Sequence, residues 1–234
     1  MRISAIIPAA GRGRRLGLKR PKAFVVRGGK PLIGHTLERL ARSFHFQEMI
    51  VAAPPAEFGR LRRLFSRSKI ANARLVKGGR TRAASVKNAV LQSSGEWVLI
   101  HDAVRPLIRP KTLRAVVSAA QRTGAAILAV PVTATVKKAE ARTRIVRATE
   151  DRASLFLAQT PQVFRKRLLL ERYRRLGRRA LQATDEAALF DGSGLKVAIV
   201  AGDAENIKIT TPSDLGLFDY YLRRTGRGAH RYRV

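Results

Sequence analysis

The chain has no cysteine in its 234 residues, and this absence removes several kinds of chemistry at once. Disulfide bonds, thiolate metal sites and cysteine nucleophiles are excluded, and the composition is compatible with a reducing cytoplasm. No apolar run approaches the roughly 20 residues that span a bilayer, and the N-terminus lacks the charged, apolar and cleavage regions of a signal peptide. We therefore expect a cytoplasmic protein that does not bind membranes.

Acidic and aromatic residues are also scarce. Asp and Glu number 16 against 47 Lys and Arg, which gives a formal net charge of +31. Such a charge attracts any polyanion and predicts salt-sensitive, non-specific binding of nucleic acid whatever the function is. A dedicated nucleic-acid-binding protein, which we keep as an alternative, needs a continuous basic stripe with stacking aromatics. Aromatic residues make up only 6% of the chain and are dispersed, which argues against this alternative.

Strand-like and helix-like stretches alternate along most of the chain. Leu37, Leu40, Ala41 and Phe44 recur at the spacing of an amphipathic helix, and further helices are expected around residues 86–90, after Pro110, up to about residue 179 and from residue 211. Apolar runs that predict strands cover residues 3–7, 49–53, 74–76, 97–100, 125–130 and 196–201. Continuous apolar strands between helices indicate an α/β fold with a mostly parallel sheet covered on both faces.

The alternation breaks after Pro131. Residues 132–151 have no helical period and are rich in β-branched side chains, so we predict a protruding hairpin arm that turns near residues 139–144. The alternative is a disordered basic loop. Because neither a repeat nor a low-complexity linker is present, we expect one domain over residues 1–234, with the arm at about residues 132–153.

A glycine-rich loop, residues 8–16, follows the first predicted strand and continues to Pro21 and Lys22. Its small residues allow backbone N–H groups to approach an anion, and Arg15 and Lys22 add positive charge, which is chemistry for a polyphosphate. The loop matches neither a dinucleotide fingerprint nor a P-loop, since Leu16 replaces a small residue and Gly-Lys-Ser/Thr is absent. Taken alone, it is equally compatible with an ordinary basic turn.

Further polar segments follow other predicted strands. The segments are residues 78–85, 101–106 and 205–210. Each has an alternative explanation, because Gly78-Gly79 can be a tight turn, Asp102 and Arg105 a local ion pair, and Lys208 a solvent-facing residue. Ligands in open α/β sheets bind at the carboxyl ends of strands. The shared location of these segments therefore favours one site.

These segments occur in an order that resembles the 2-C-methyl-D-erythritol 4-phosphate cytidylyltransferase family. The matching motifs are Ala9-Ala10-Gly11-x-Gly13-x-Arg15, Pro21-Lys22, Gly78-Gly79-x-x-Arg82-x-x-Ser85-Val86-x-Asn88, His101-Asp102-Ala103-x-Arg105-Pro106, Gln159-Thr160-Pro161-Gln162, Thr184-Asp185-Glu186 and Asn206-Ile207-Lys208-Ile209-Thr210. The resemblance implies a Rossmann-like (GT-A-like) nucleotidyltransferase sheet and a homodimer built by the arm. It also implies transfer of CMP from CTP to 2-C-methyl-D-erythritol 4-phosphate, with release of pyrophosphate, in the non-mevalonate isoprenoid precursor pathway.

The resemblance also implies a role for individual residues. Arg15 and Lys22 correspond to the transition-state stabilisers, and Arg152 and Lys208 to the residues that hold the acceptor phosphate. The positions expected to contact CTP are Ala9, Ala10, Gly11, Gly13, Gly78, Gly79, Arg80, Ser85, Asp102 and Ala103. The acceptor contacts are Thr135 and Arg152 on the arm with Asp102 and Arg105, facing Thr184 and Thr210 from the other subunit.

The chain departs from the family pattern at two positions, because Ala134 and Arg80 stand where acidic residues are common. An alternative acceptor therefore stays open, namely another polyol phosphate such as ribitol 5-phosphate. No acidic cluster is available for a dedicated metal, so Mg²⁺ is expected to be held mainly by the CTP phosphates, with Asp102 as a candidate contact. His101 is expected to be structural rather than a proton shuttle.

Overall fold

The computed structural model describes residues 1–11, 21–68, 70 and 72–226. Its helices are α1 (Leu32–Ser43), α2 (Phe58–Arg67), α3 (Arg82–Gln92), α4 (Pro110–Thr123), α5 (Lys166–Leu176) and α6 (Pro212–Gly226). Its strands are β1 (Ile3–Pro8), β2 (Val26–Arg27), β3 (Lys30–Pro31), β4 (Glu48–Ala53), β5 (Ala73–Lys77), β6 (Trp97–Ile100), β7 (Ala125–Pro131), β8 (Lys137–Ala139), β9 (Val146–Thr149), β10 (Phe156–Arg165) and β11 (Ala198–Ala201). Within these ranges, none of the helices is both long and apolar enough to cross a membrane.

Seven of these strands form the central sheet in the order β11-β7-β10-β6-β1-β4-β5. The neighbouring pairs are parallel except those made by β10, which runs antiparallel to both β6 and β7. The mostly parallel α/β sheet predicted from the sequence is therefore confirmed.

The sequence pattern predicts no strand between the arm and residue 196, whereas the structure has β10 there. Its register shifts between Gln159 and Gln162, on either side of Pro161. Proline cannot donate to a strand ladder, and inside a sheet it occurs at such irregularities. The polar Gln-Thr-Pro-Gln stretch lies inside a ten-residue strand that pairs with β6 and β7. Its composition alone therefore does not predict a strand.

The sheet is covered on both faces, and each face has its own apolar core. On β1, Ile3 and Ile7 pack into the cluster formed with α1, α2, α4 and α6, whereas Ile6 points into the cluster formed with α3 and α5. Successive strand residues alternate between faces, so a strand covered on both sides needs apolar residues at every position. This requirement explains the continuous apolar runs of the sequence.

The segment after β7 is a protruding hairpin, as predicted. Strands β8 and β9 pair antiparallel, with Lys137 opposite Thr149, and the turn is closed by the Arg144 N–H, which donates to the carbonyl oxygen of Glu140 at 2.9 Å. Nearly every residue from 133 to 158 is exposed. The exposed set includes large apolar side chains, namely Ile145, Val146, Phe156 and Leu157, with 45–59% of their surface accessible.

Candidate active site

A cleft of about 820 Å³ lies at the carboxyl ends of β1, β4, β5 and β6. It is bounded by the segments that follow these strands, by the short turn that begins at Lys22 and by Lys208 near the C-terminus. Its lining comprises Pro8, Ala9, Ala10, Gly11, Lys22, Ala23, Pro54, Pro55, Gly78, Gly79, Arg80, Thr81, Arg82, Ser85, Asp102, Ala103, Val104 and Lys208. The edge of the sheet where the sequence predicts a ligand site is therefore the edge that carries the cleft.

The Gly78-Gly79 loop is closely packed on one wall of the cleft. A Cβ atom on Gly78 would lie 2.6 Å from the Cβ of Ala10, and one on Gly79 would lie 2.5 Å from the Cβ of Ala84. Both distances are shorter than van der Waals contact, so only glycine fits at either position. The wall is backbone rather than side chain.

The start of α3 fixes this loop through hydroxyl groups. The Thr81 Oγ1 caps the helix by accepting from the Ala84 N–H at 3.0 Å. The Ser85 hydroxyl accepts from the Gly79 N–H at 3.0 Å and donates to the Thr81 carbonyl oxygen at 2.9 Å. The Gly78 N–H donates to the carbonyl oxygen of Ala53 at 2.9 Å. The amides of both glycines are thus engaged within the chain.

Asp102 lies at the floor of the cleft among three cationic side chains. Its Oδ1 is 3.0 Å from Nε of Arg82, and its Oδ2 is 2.7 Å from Nζ of Lys208 and 3.8 Å from Nε of Arg105. Burial raises the pKa of the Asp102 carboxyl, but the charges of Arg82, Lys208 and Arg105 outweigh burial and hold this pKa well below its usual range. Asp102 is therefore an anion at neutral pH and is unsuited to act as a proton acceptor.

His101 supports Asp102 from behind. The Asp102 N–H donates to Oγ1 of Thr160 at 3.0 Å, and the same hydroxyl lies 3.1 Å from Nδ1 of His101. The Nε2 of His101 lies 2.9 Å from the carbonyl oxygen of Arg105. Burial lowers the pKa of His101 to about 4, so the imidazole is neutral near pH 7 and both ring nitrogens are engaged. These contacts make His101 a structural residue.

Acidification from pH 6.5 to pH 4 is expected to destabilise the fold through His101. Its pKa is about 4 when folded and 6.5 as an unperturbed group, so between these values the unfolded chain binds more protons and stability falls as the pH falls. The loss is at most about 1.4 kcal/mol per pH unit. Urea unfolding across this range should show a smaller pH slope for His101→Gln than for the wild type. Equal slopes would contradict the lowered pKa of His101 in the folded protein.

Lys22 and Lys208 approach the cleft from parts of the chain that are far apart in sequence. Nζ of Lys22 donates to the carbonyl oxygen of Ile209 at 3.1 Å. The hydroxyl of Thr210 donates to the Lys208 carbonyl oxygen at 2.7 Å, and Asp214 at the start of α6 accepts from the Thr210 N–H at 2.8 Å. The start of α6 therefore anchors the segment that carries Lys208.

The structure brings most of the predicted site residues together. Eleven of them line the cleft, namely Ala9, Ala10, Gly11, Lys22, Gly78, Gly79, Arg80, Ser85, Asp102, Ala103 and Lys208. Arg105 lies behind Asp102, where its Nη1 donates to the Asn206 carbonyl oxygen at 2.7 Å. Gly13 and Arg15 lie outside the described residues.

The predicted acceptor residues lie on two parts of the chain. Thr135 and Arg152 lie on the exposed arm, where Arg152 donates to the Thr133 carbonyl oxygen at 2.6 Å. Thr210 bonds to Lys208, which pairs with Asp102 in the same chain. Within one chain, Thr210 therefore lies on the same side of the cleft as Asp102. The sharing of Thr184 and Thr210 between two subunits stays a prediction.

Two charged residues, the partly buried Arg82 and the fully buried Glu186, have no role predicted from the sequence. Nη1 of Arg82 lies 2.9 and 3.1 Å from the two carboxylate oxygens of Glu186, while Nε of Arg82 contacts Asp102. In the sequence, Arg82 and Glu186 stand out only as members of the motifs. The sequence signal is weak: the chain has 16 acidic residues, and Glu186 directly precedes the apolar run 187–190.

The site contains few groups that bind metal ions. Among the residues that the structure describes, no cluster of three or more His, Cys, Asp or Glu side chains is arranged to hold a metal ion. Asp102 is the one carboxylate in the described lining of the cleft, and both of its oxygens already face cationic groups. The described residues therefore do not form a complete metal site by themselves.

Comparison with known proteins agrees with this geometry. A sequence model of the 2-C-methyl-D-erythritol 4-phosphate cytidylyltransferase family matches residues 3–224. The enzyme of that name from Geobacillus kaustophilus (strain HTA426) is 42% identical over 217 residues, which is 92% of this chain and 94% of the relative. The one from Syntrophus aciditrophicus (strain SB) is 38% identical over 229 residues, covering 95% of this chain and 97% of the relative.

Solved structures show the same fold. The 4-diphosphocytidyl-2C-methyl-D-erythritol synthase from Anaerococcus prevotii DSM 20548 superposes with a TM-score of 0.83 at 30% identity, covering 95% of this chain and 99% of that one. The cytidylyltransferase from Thermus thermophilus gives 0.77 at 34% identity, covering 95% and 100%. The resemblance seen in the sequence motifs is therefore confirmed, and the chain belongs to the 2-C-methyl-D-erythritol 4-phosphate cytidylyltransferase family of nucleotidyltransferases.

Proposed function

We propose that this chain transfers CMP from CTP to 2-C-methyl-D-erythritol 4-phosphate, giving 4-diphosphocytidyl-2-C-methyl-D-erythritol and pyrophosphate in the non-mevalonate isoprenoid precursor pathway. The observation that carries the proposal is the shared cleft in which Lys22, the Gly78-Gly79 loop, Asp102 and Lys208 meet. Both substrates and the product are charged and water-soluble, which fits action in the cytoplasm. The direct test is release of pyrophosphate from CTP when this acceptor is added to the purified protein.

The reaction needs positive charge more than it needs a base. An oxygen of the acceptor phosphate forms a bond to the α-phosphorus of CTP, and the bond to the β-phosphate oxygen breaks, so pyrophosphate leaves with that electron pair. The attacking phosphate is already ionised at neutral pH, and catalysis consists of positioning and of stabilising charge on the phosphoryl oxygens. Lys22 at the cleft and, by its motif, Arg15 are the proposed stabilising groups, and the neutral His101 takes no part in proton transfer.

CTP is expected to outcompete UTP and ATP as the nucleotide substrate. Because the amides of Gly78 and Gly79 are engaged within the chain, their carbonyl oxygens are the backbone groups that we propose accept from the cytosine amino group. Uracil presents a carbonyl oxygen where cytosine presents its amino group. Two acceptors would then face each other without a donor, which disfavours UTP. Pyrophosphate release with each nucleotide under identical conditions measures the preference. Equal use of all three nucleotides would contradict the proposal that the protein is a cytidylyltransferase.

Mg²⁺ is proposed to enter the site with the phosphates of CTP. The described residues fit this arrangement better than a protein-built metal site, because Asp102 is the carboxylate of the cleft and is shared among cations. When bound, the metal ion would neutralise phosphate charge in the transferring group. The role of this chain's own residues is to hold Lys22 and Lys208 around the position of the phosphates.

The second half of the acceptor site is proposed to come from the arm of a second copy. In one chain Arg152 and Thr135 lie on the exposed hairpin, apart from the residues that line the cleft. Ile145, Val146 and Leu157 are exposed on the same hairpin, and a homodimer that covers them would be closed by two-fold symmetry.

The alternative functions are less well supported. The relatives described above carry the name of the methylerythritol phosphate enzyme, and neither a ribitol 5-phosphate enzyme nor a nucleic-acid-binding protein is favoured. Comparing pyrophosphate release with the two polyol phosphates separates the two acceptors, since the CTP half of the site is common to both. Binding of nucleic acid is expected only through net charge and should vanish as salt rises.

A further inference from the structure

Arg82 is the first residue of α3, and it connects two acidic side chains that lie far apart in the sequence. Its Nε is 3.0 Å from Oδ1 of Asp102, and its Nη1 is 2.9 Å from Oε2 of Glu186. Asp102 is 5% exposed and Glu186 is fully buried. A guanidinium group presents donors on several edges in one rigid plane, which allows it to contact both carboxylates at once.

The Asp102 end of this bridge belongs to the cleft. Arg82 occupies Oδ1 of Asp102, so Oδ2 is the oxygen that faces Lys208 and Arg105. If Oδ1 lost its partner, both remaining cations would lie on the Oδ2 side, and the carboxylate would turn toward them. Because Nζ of Lys208 is only 2.7 Å from Oδ2, its ammonium group would move with the carboxylate.

The Glu186 end is fixed independently of the cleft. Glu186 donates its N–H to Oε1 of Gln162 at 3.3 Å, and Gln162 donates to Oδ2 of Asp185 at 2.7 Å. Gln162 lies on β10 in the middle of the sheet. The position of the buried Glu186 is therefore set by the sheet. Arg82 contacts both Glu186 and Asp102, so the position of Asp102 depends on that of Glu186.

We propose that Arg82 is a positioning residue for the transfer reaction, which holds Asp102, and through it Lys208, in the arrangement that receives the acceptor phosphate. The inference rests on the proposed function. Arg82 acts on the reacting groups through Asp102 and does not need to touch them. A displacement of about 1 Å at a group that orients a substrate costs up to about a hundredfold in rate, so the loss of this bridge should be visible in kcat.

The test must separate positioning from simple charge balance in the core. Arg82→Gln alone leaves Glu186 buried without its cation, and burial already raises the pKa of this carboxyl. The single variant must then hold an unpaired buried charge or protonate Glu186, and either one destabilises the fold. The double variant Arg82→Gln/Glu186→Gln removes both charges and keeps side chains that can hydrogen-bond to each other. We expect it to melt within a few degrees of the wild type, with kcat lowered at least about tenfold. Near-normal kcat in a folded double variant would overturn the proposal.

Arg82→Lys provides a second route if the double variant unfolds. A lysine keeps the charge beside Glu186 but cannot contact both carboxylates with separate donors in one plane. We expect a folded protein with kcat below that of the wild type, and equal kcat would overturn the proposal as well. Arg114→Gln, which removes one exposed charge on α4, is the matched control and should turn over normally.

The KM for the acceptor gives a readout that a purely structural role would not move. Lys208 pairs with Asp102 at 2.7 Å and is proposed to hold the acceptor phosphate, so a shift of Asp102 should raise the KM for the acceptor in the double variant. Arg114→Gln should leave this KM unchanged. Equal acceptor KM values in the two variants would argue against the role. If the wild type itself transfers no CMP from CTP, the proposed function fails, whereas a normal double variant overturns only the role of Arg82.

Discussion

Lys22→Ala is expected to lower turnover at least about a hundredfold while leaving the fold intact. Lys22 lies in the lining of the cleft, and its Nζ reaches the Ile209 carbonyl oxygen beside Lys208. This places its positive charge where the phosphates of CTP are proposed to bind. Removing a preorganised charge from a transition state costs on the order of 3 kcal/mol, which corresponds to about a hundredfold in rate. The measurement is kcat for pyrophosphate release, together with the melting temperature.

A matched lysine controls for the loss of net charge. Lys111 is exposed near the start of α4, so Lys111→Ala removes the same charge from the same strongly basic chain away from the cleft. Its turnover should stay close to that of the wild type. Arg15→Ala should behave like Lys22→Ala by the resemblance of its motif. Near-normal turnover in both Arg15→Ala and Lys22→Ala would mean that the glycine-rich segment and Lys22 are not part of the catalytic centre.

Mixing two inactive variants, Arg152→Ala and Lys208→Ala, is expected to restore activity. If the arm of one subunit completes the site of the other, a heterodimer contains one site with both Arg152 and Lys208 and one site with neither. Turnover per heterodimer should then approach half of that of the wild-type dimer. The physical basis is that Arg152 lies on an exposed hairpin while Lys208 lines the cleft beside Asp102.

The experiment needs proof that heterodimers form. Two different affinity tags, purified in succession, isolate the mixed species, and each variant alone provides the baseline. Arg147→Ala is a control on the same hairpin, since Arg147 pairs with Glu140 on the exposed surface. Isolated heterodimers that stay inactive would show that Arg152 and Lys208 act within one subunit. Because both subunits are strongly positive, association should tighten as salt screens their repulsion.

The sequence predicted elements whose pattern is local. The apolar runs of β1, β4, β6 and β7 were found because a strand covered on both faces needs apolar residues at successive positions. Thr211-Pro212-Ser213-Asp214 has the composition of a helix N-terminus and predicts the start of α6. In the structure, the Asp214 carboxylate accepts from the N–H groups of Thr210 and Thr211. The hairpin arm was predicted from its β-branched residues.

Strand β10 illustrates what a local pattern cannot predict. Its residues 159–162 are polar and include a proline, so they carry no strand pattern, yet they lie in the middle of the sheet between β6 and β7. The pairing partners supply the hydrogen bonds that this stretch cannot supply for itself. Where such a strand lies depends on the assembled neighbours and not on its own composition.

The sequence by itself determined the fold class, the family and the edge of the sheet that carries the cleft, because apolar periodicity and ordered motifs are properties of the chain alone. Only the tertiary structure decided which charges meet. Arg82 and Glu186 are 104 residues apart, and Lys22 and Ile209 are 187 residues apart. Contacts over such separations are set by the packing of strands and helices around the sheet. The Asp102 cluster and the bridge through Arg82 therefore became visible only when the fold brought these residues together.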